Sequence, residues 1–200
     1  MKLFFGHTSP FARKTRVAIR ELGLSSRIEE VEANAWNDPP ELLAANPLGR
    51  IPALVCDDNT SLCDSLLILE YLDTLHERES LFPRDLDARL EMRRPMAIAY
   101  GISEAVFNVA IERRRPRERQ DDTWIQRKIQ AARRGLAALE READSPGLEP
   151  VNGYGIALGC TLAYCDLRLS EYDWRADQPG LAAWFEPFAA RPSMRDTSPP

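Results

Sequence analysis

The sequence predicts a mixed α/β first half followed by an all-helical second half. Three observations carry that prediction: a strand, turn and helix within residues 2–23, two short strand signals around residues 53–63, and helical periodicity with no strand signal beyond residue 86.

The first unit opens on Lys2-Leu3-Phe4-Phe5, an apolar run short enough for a buried strand, and Gly6-His7-Thr8 supplies the turn. Ser9-Pro10 then starts a helix. Serine is a preferred N-cap, and proline is favoured at the first helical position because the N–H it lacks would have had no partner there. Phe11, Ala18 and Leu22 fall on one face, and Leu22-Gly23 supplies the glycine that commonly ends a helix. Two readings attach to Ser9. It can cap its own helix, or its hydroxyl at the positive helix end can donate to a thiolate, which would make a bound thiol a better nucleophile.

The second strand signal is Ala53-Leu54-Val55-Cys56, preceded by Ile51-Pro52 and followed by the turn cluster Asp57-Asp58-Asn59 and then Thr60-Ser61-Leu62-Cys63. Proline cannot donate to a ladder, so at the mouth of a strand it belongs to an edge or a special bend. A cis Ile51-Pro52 bond would turn the Ile51 main chain outward, where an extended peptide could pair with it as another strand would. Asp64-Ser65 opens the apolar helix that begins Leu66-Leu67-Ile68-Leu69. These two residues are either ordinary caps or part of a site in which the helix N-terminus and Ser65 hold a carboxylate and Asp64 pairs with an ammonium.

The coarse boundary falls around residues 77–87, where Pro83-Arg84-Asp85 breaks the pattern. The clearest helix beyond it spans 123–142, with Ile125, Ile129, Ala132, Leu136 and Leu139 at helical spacing. Further helices are predicted over 86–115, 154–171 and 180–190. Tyr100 and Phe107 are seven residues apart and share a face, as core or as the lining of an apolar pocket. Arg113-Arg114-Arg115-Pro116-Arg117 is flanked by Glu112, Glu118, Asp121 and Asp122, which marks a solvated helix end rather than a nucleic-acid patch.

Two hundred residues suffice for one large domain or two small ones, and a net charge of −5 argues against binding nucleic acid or an anionic membrane. No apolar stretch approaches the ~18 residues of a spanning helix, and the run after Lys2 is too short for a signal peptide. A cytoplasmic protein is expected. Cys56, Cys63, Cys160 and Cys165 have no C-x-x-C spacing and are expected as buried core residues, while His7 and His76 stand apart. Neither a redox dithiol nor a metal site is expected.

Ser9-Pro10-Phe11-Ala12-Arg13-Lys14, Asn46-Pro47-Leu48-Gly49-Arg50-Ile51-Pro52-Ala53-Leu54 and Asp64-Ser65 resemble, in order and spacing, the N-terminal thioredoxin-like domain of the soluble glutathione S-transferases. Arg191-Pro192-Ser193 with Pro199-Pro200 is similar to the end of many bacterial members. The resemblance implies a thioredoxin-like glutathione-binding domain over 1–78, an all-helical domain over 86–200, and a serine-type bacterial member. Ser9 matches the hydroxyl that activates glutathione, with Thr8 a second candidate because some classes place theirs earlier. Pro52 matches the family's cis-proline, and Ile51 the main chain offered to the glutathione cysteine. Asp64 and Ser65 match the pair that holds the γ-glutamyl amine and carboxylate. Arg50 matches a position near the glycyl end, and Phe11 the edge of the second-substrate pocket. The family's capping box in the second domain is represented by Asn152 with Gly155, the cap half alone.

The activity implied is attack of the glutathione thiolate on a small apolar electrophile, with glutathione as co-substrate, in a homodimer. Two alternatives stand beside it. One is a non-catalytic glutathione- or ligand-binding protein of the same fold; the other is a glutathione-dependent thiol transferase, which needs a cysteine where Ser9 stands.

Overall fold

The computed structural model describes residues 1–143 and 151–200, which divide into two compact units: Met1–Pro83 with Arg191–Pro200, and Arg84–Ala190. The sequence placed the division between residues 78 and 86 and assigned everything beyond it to the helical part. Residues 191–200 instead belong with the first unit, because their polar side chains bond to its first helix.

The first unit runs β1 (Lys2–Phe5), α1 (Pro10–Glu21), β2 (Glu29–Glu32), α2 (Pro40–Ala45), β3 (Ala53–Val55), β4 (Ser61–Cys63) and α3 (Ser65–Leu72), closed by α9 (Pro192–Asp196). Its four strands lie in the order β2-β1-β3-β4, with β1 parallel to β2 and the other pairs antiparallel. The parallel pair requires a crossover, and α1 supplies it. Leu3, Phe4 and Phe5 are all buried, as a strand covered on both faces demands. Phe4 packs with Ala33, Leu42, Ala45 and Ala53. Successive strand residues point to opposite faces, so Leu3 and Phe5 face the other way.

Helix α1 begins as expected, with Ser9 as cap and Pro10 in the first turn. It ends in a Schellman motif: Gly23 N–H bonds Arg20 C=O at 3.1 Å, and Leu24 N–H bonds Ile19 C=O at 2.8 Å. Gly23 sits at φ +72°, the left-handed conformation that favours glycine, and the Arg78 guanidinium lies over it, 2.7 Å from where a Cβ would stand.

Strand β2 and helix α2 were not foreseen. Glu29-Glu30-Val31-Glu32 lacks an apolar face, and it is held by pairing with β1 and by Glu30, which accepts from Arg16 Nε at 2.8 Å and Arg20 Nη1 at 2.6 Å.

The second unit comprises α4 (Leu86–Glu112), α5 (Asp122–Glu140), α6 (Gly153–Arg168), α7 (Trp174–Asp177) and α8 (Pro179–Ala189). Each long helix lies within three residues of the expected bounds. Asn152 caps α6, its Oδ1 accepting from Gly155 N–H at 2.8 Å, so the cap half of the box suffices to start that helix. A Cβ at Gly159 would meet Phe188 Cε1 at 2.4 Å; glycine lets that ring lie against the α6 backbone. The arginine-rich stretch is a solvated helix end, with Arg113 paired to Glu171, Arg115 to Glu112 and Arg117 to Asp122.

All four cysteines are free; three are buried as expected, and Cys63 is half-buried. Among the described residues no helix is long and apolar enough to cross a membrane.

Candidate active site

Strand register brings the three sequence motifs of the first unit to one end of the sheet. Phe4 pairs with Ala53, and Ala53 with Cys63. The C-terminal end of β1, the start of β3 and the end of β4 therefore lie side by side. The turn leading to Ser9, the Ile51-Pro52 peptide and Asp64-Ser65 all leave the sheet at this edge. Gly6 and Ile51 are in close contact, since a Cβ on Gly6 would fall 2.7 Å from Ile51 Cδ1.

Ser9 is fixed by three bonds. Its N–H donates to Gly6 C=O at 3.1 Å, its C=O accepts from Arg13 N–H at 2.9 Å, and its Oγ accepts from Ala12 N–H at 3.2 Å. A hydroxyl has one proton to donate besides its lone pairs. The capping bond uses a lone pair, so the two readings of Ser9 are compatible: the oxygen can cap α1 while the proton is donated outward. Thr8 beside it is exposed, and its side chain makes no hydrogen bond among the described residues.

The Ile51-Pro52 peptide is cis. Ile51 is half-buried and Arg50 exposed, and the loop that presents them hangs on the amide of Asn46. Asn46 is buried; its Nδ2 donates to Arg50 C=O at 2.8 Å, its Oδ1 accepts from Leu48 N–H at 3.0 Å, and its C=O accepts from Gly49 N–H at 2.9 Å. Gly49 takes φ +60°, the left-handed conformation this turn needs. Asn46 received no role from the sequence. The available signal was an asparagine followed by proline and by a glycine three residues on, which is the pattern of an Asx turn.

Asp64 caps α3 from an unusual backbone conformation, φ +83°, and its Oδ1 accepts from Leu66 N–H at 2.7 Å and Leu67 N–H at 3.3 Å. Ser65 is buried in the first turn of α3, and its Oγ has no hydrogen-bond partner among the described residues. A buried hydroxyl left in this way costs free energy unless a ligand engages it. Phe11 is half-buried, with the Lys14 ammonium 5.0 Å from its ring centroid.

Cys63 adjoins this edge, yet its thiol points to Ala45 C=O at 3.6 Å and burial pushes its pKa up, the opposite of an activated thiolate. Among the described residues no three His, Cys, Asp or Glu side chains group to hold a metal ion. Two helix N-termini, a hydroxyl whose proton is not used by its capping bond and a cis peptide thus share a sheet edge. Such a set suits a small peptide carrying a carboxylate and a thiolate.

The chain is similar to known proteins over its whole length. Residues 8–75 match the family model for the glutathione S-transferase N-terminal domain, and residues 122–186 that for the C-terminal domain. A GST-like protein of Escherichia coli K12, YibF, described as uncharacterized, is 32% identical over 100% of this chain and 99% of its own length. A crystal structure of a glutathione transferase family member from Pseudomonas fluorescens Pf-5 with bound glutathione is 37% identical. It superposes with a TM-score of 0.95, covering 100% of this chain and 98% of that one. A second crystal structure of that family member, with bound S-(propanoic acid)-glutathione, gives a TM-score of 0.91 at 37% identity, covering 100% of each chain.

Proposed function

Because this chain belongs to the glutathione S-transferase family, we propose that it binds glutathione at the sheet edge described above and transfers the glutathionyl thiolate to a small apolar electrophile. The observation that carries the reading is the strand register, which gathers Ser9, Ile51 and Asp64-Ser65 at one end of the sheet. The family member from Pseudomonas fluorescens supports it, since one of its structures has glutathione bound and the other an S-substituted glutathione.

In this reading the Ile51 main chain pairs with the cysteinyl residue of the tripeptide, as an added strand would. Ser65 and the α3 N-terminus hold the γ-glutamyl carboxylate, and the Asp64 carboxylate faces the amine. Arg50 lies toward the glycyl end. The thiol loses its proton to solvent, and the Ser9 hydroxyl donates to the resulting thiolate while the N-terminal end of α1 adds its positive potential. The sulfur then attacks the electrophilic carbon; the C–S bond forms as the leaving group departs or the π electrons move onto the acceptor. Phe11 borders the place where that electrophile would lie. Thr8, exposed and one residue earlier, is the secondary candidate for the hydroxyl. A homodimer in the cytoplasm completes the proposal, and light scattering on the purified protein tests the dimer.

A thiol-transferase reaction has little support here, because the helix start carries Ser9 and the nearby Cys63 thiol is held in its protonated form by burial.

The deciding experiment is an ultraviolet titration of bound glutathione, wild type against Ser9→Ala. We expect a bound thiol pKa well below the ~8.5 of a free thiol in wild type, and a return toward it in Ser9→Ala with glutathione affinity nearly unchanged. Binding with an unshifted thiol in the wild type would identify a non-catalytic glutathione-binding protein; identical titrations in the two proteins would remove Ser9 from the mechanism.

A further inference from the structure

The segment 191–197 is joined by side chains to both ends of α1, although about 170 or more positions of sequence separate the partners. At the far end of α1, the Arg191 guanidinium donates to both oxygens of Glu21 at 2.8 Å, and Ser193 Oγ donates to Glu21 Oε1 at 2.5 Å. At the near end, Arg13 Nη2 donates to Met194 C=O at 2.9 Å and its Nε to Thr197 Oγ1 at 3.4 Å. Within the segment, Thr197 Oγ1 donates to Ser193 C=O at 2.8 Å. Arg13, Ser193, Met194 and Thr197 are each at most 8% exposed, so the Arg13 end of the network is shielded from competing water, while the Arg191–Glu21 pair is partly exposed.

Arg13 is also the residue whose backbone N–H closes the first turn of α1 on the Ser9 C=O. Its guanidinium therefore ties the turn that carries Ser9 to α9, while the Glu21 cluster ties down the opposite end. A helix fixed at one end only can pivot. Fixed at both, it holds its N-terminus still, and thiolate stabilisation by a hydroxyl and a helix end falls off steeply with misplacement.

We propose that Arg13, Ser193 and Thr197 are positioning residues for thiolate activation: the strap 191–197 holds α1 so that the Ser9 hydroxyl and the helix N-terminus meet the glutathione sulfur. This rests on the assignment of Ser9 above. None of the strap residues is among those assigned to hold the peptide, so loss of the strap should weaken activation more than binding.

The test uses the full chain with Ser193→Ala/Thr197→Val, which alters neither α1 nor a site residue, and with Arg13→Met and Arg13→Lys. We expect the bound thiol pKa to rise by about one unit in the double variant and in Arg13→Met. Turnover at neutral pH should fall about tenfold and recover toward alkaline pH, with the KM for glutathione held within about threefold. Arg13→Lys, which keeps a donor for the Met194 carbonyl, should lie between Arg13→Met and wild type. A lowered melting midpoint with an unchanged thiol pKa and pH profile would overturn the proposal, because a merely structural strap acts in that way. Should the double variant not fold, Thr197→Val alone carries the same pair of outcomes. Ser9→Ala run alongside separates the two claims. A raised thiol pKa in Ser9→Ala with wild-type behaviour in the strap variants overturns the strap alone, whereas an unmoved thiol in Ser9→Ala overturns the site assignment and the strap's role with it.

Discussion

The Ser9 oxygen caps α1 through a lone pair and keeps its proton for the thiolate donation proposed above, because a hydroxyl both accepts and donates, and this explains why the sequence left its role divided between cap and activator. Asn46 is the opposite case, a residue whose sequence context looked like a plain loop and whose buried amide organises that loop. Replacing it with alanine orphans the Leu48 N–H and the Arg50 carbonyl. We expect Asn46→Ala to cost about 1–3 kcal/mol in urea unfolding and to raise the dissociation constant for glutathione, because the Arg50-Ile51 segment is no longer held. Asn46→Asp keeps the acceptor for Leu48 but buries a charge and sets a carboxylate oxygen against the Arg50 carbonyl, so it should lose at least as much stability as Asn46→Ala. Equal affinity for glutathione in all three proteins would show that the loop is ordered without this amide. The motif residues were legible because Pro10, Pro52, Gly49 and the caps Ser9 and Asp64 each have a local backbone reason for their position. Ser65 was legible as a helix-start residue, but that its hydroxyl is buried without a partner depends on packing.

At the level of elements, β1, α1, β3, β4 and the long helices announced themselves through apolar runs, caps and periodicity. Strand β2 did not, because its stabilising contacts lie outside its own sequence: Arg16 and Arg20 project from α1 to Glu30, and Arg16 also lies 4.1 Å from the Phe5 ring centroid. Periodicity cannot register a strand held by charge. Charge pairs of this kind make stability depend on pH, and the sign follows from the direction of the shift. Hydrogen bonding from Arg191 holds the Glu21 carboxyl below its ordinary value of 4.5, opposed by burial and aided by Ser193. A depressed folded-state pKa means stability that is fully present above the unfolded value of 4.5 and is lost as pH falls through the lower folded value. Glu21→Gln should therefore lower stability by about 1–2 kcal/mol near neutrality, and the difference from wild type should shrink as pH falls below that range. Glu30 is depressed too, although burial opposes its arginine partners, so an acid limb should persist in the variant. A constant difference between the two proteins from neutral to acid pH would contradict this account of α1 and α9.

For the whole molecule, residues 191–200 group with the first unit and not with the helices that precede them, since a segment's allegiance is decided by which partners its side chains reach. The candidate site lies wholly within the first unit, so glutathione should stabilise that unit by mass action. At a free concentration of 100 times its dissociation constant the gain is about 2.7 kcal/mol. At roughly 2–4 °C per kcal/mol for a chain of this size, the calorimetric transition that includes the first unit should rise by about 5–11 °C. Ser65 separates stability from binding within that effect. Its buried hydroxyl has no partner among the described residues, so Ser65→Ala removes an unsatisfied polar group and should leave the ligand-free transition unchanged or slightly higher. In the binding mode proposed above the same variant lacks a donor to the γ-glutamyl carboxylate, so at equal glutathione concentration its ligand-induced rise should be smaller. Opposite signs in the two measurements are what a residue retained for binding at a cost to the fold produces. A lower ligand-free transition together with a full glutathione-induced rise would show that Ser65 serves the packing of α3 and not the ligand.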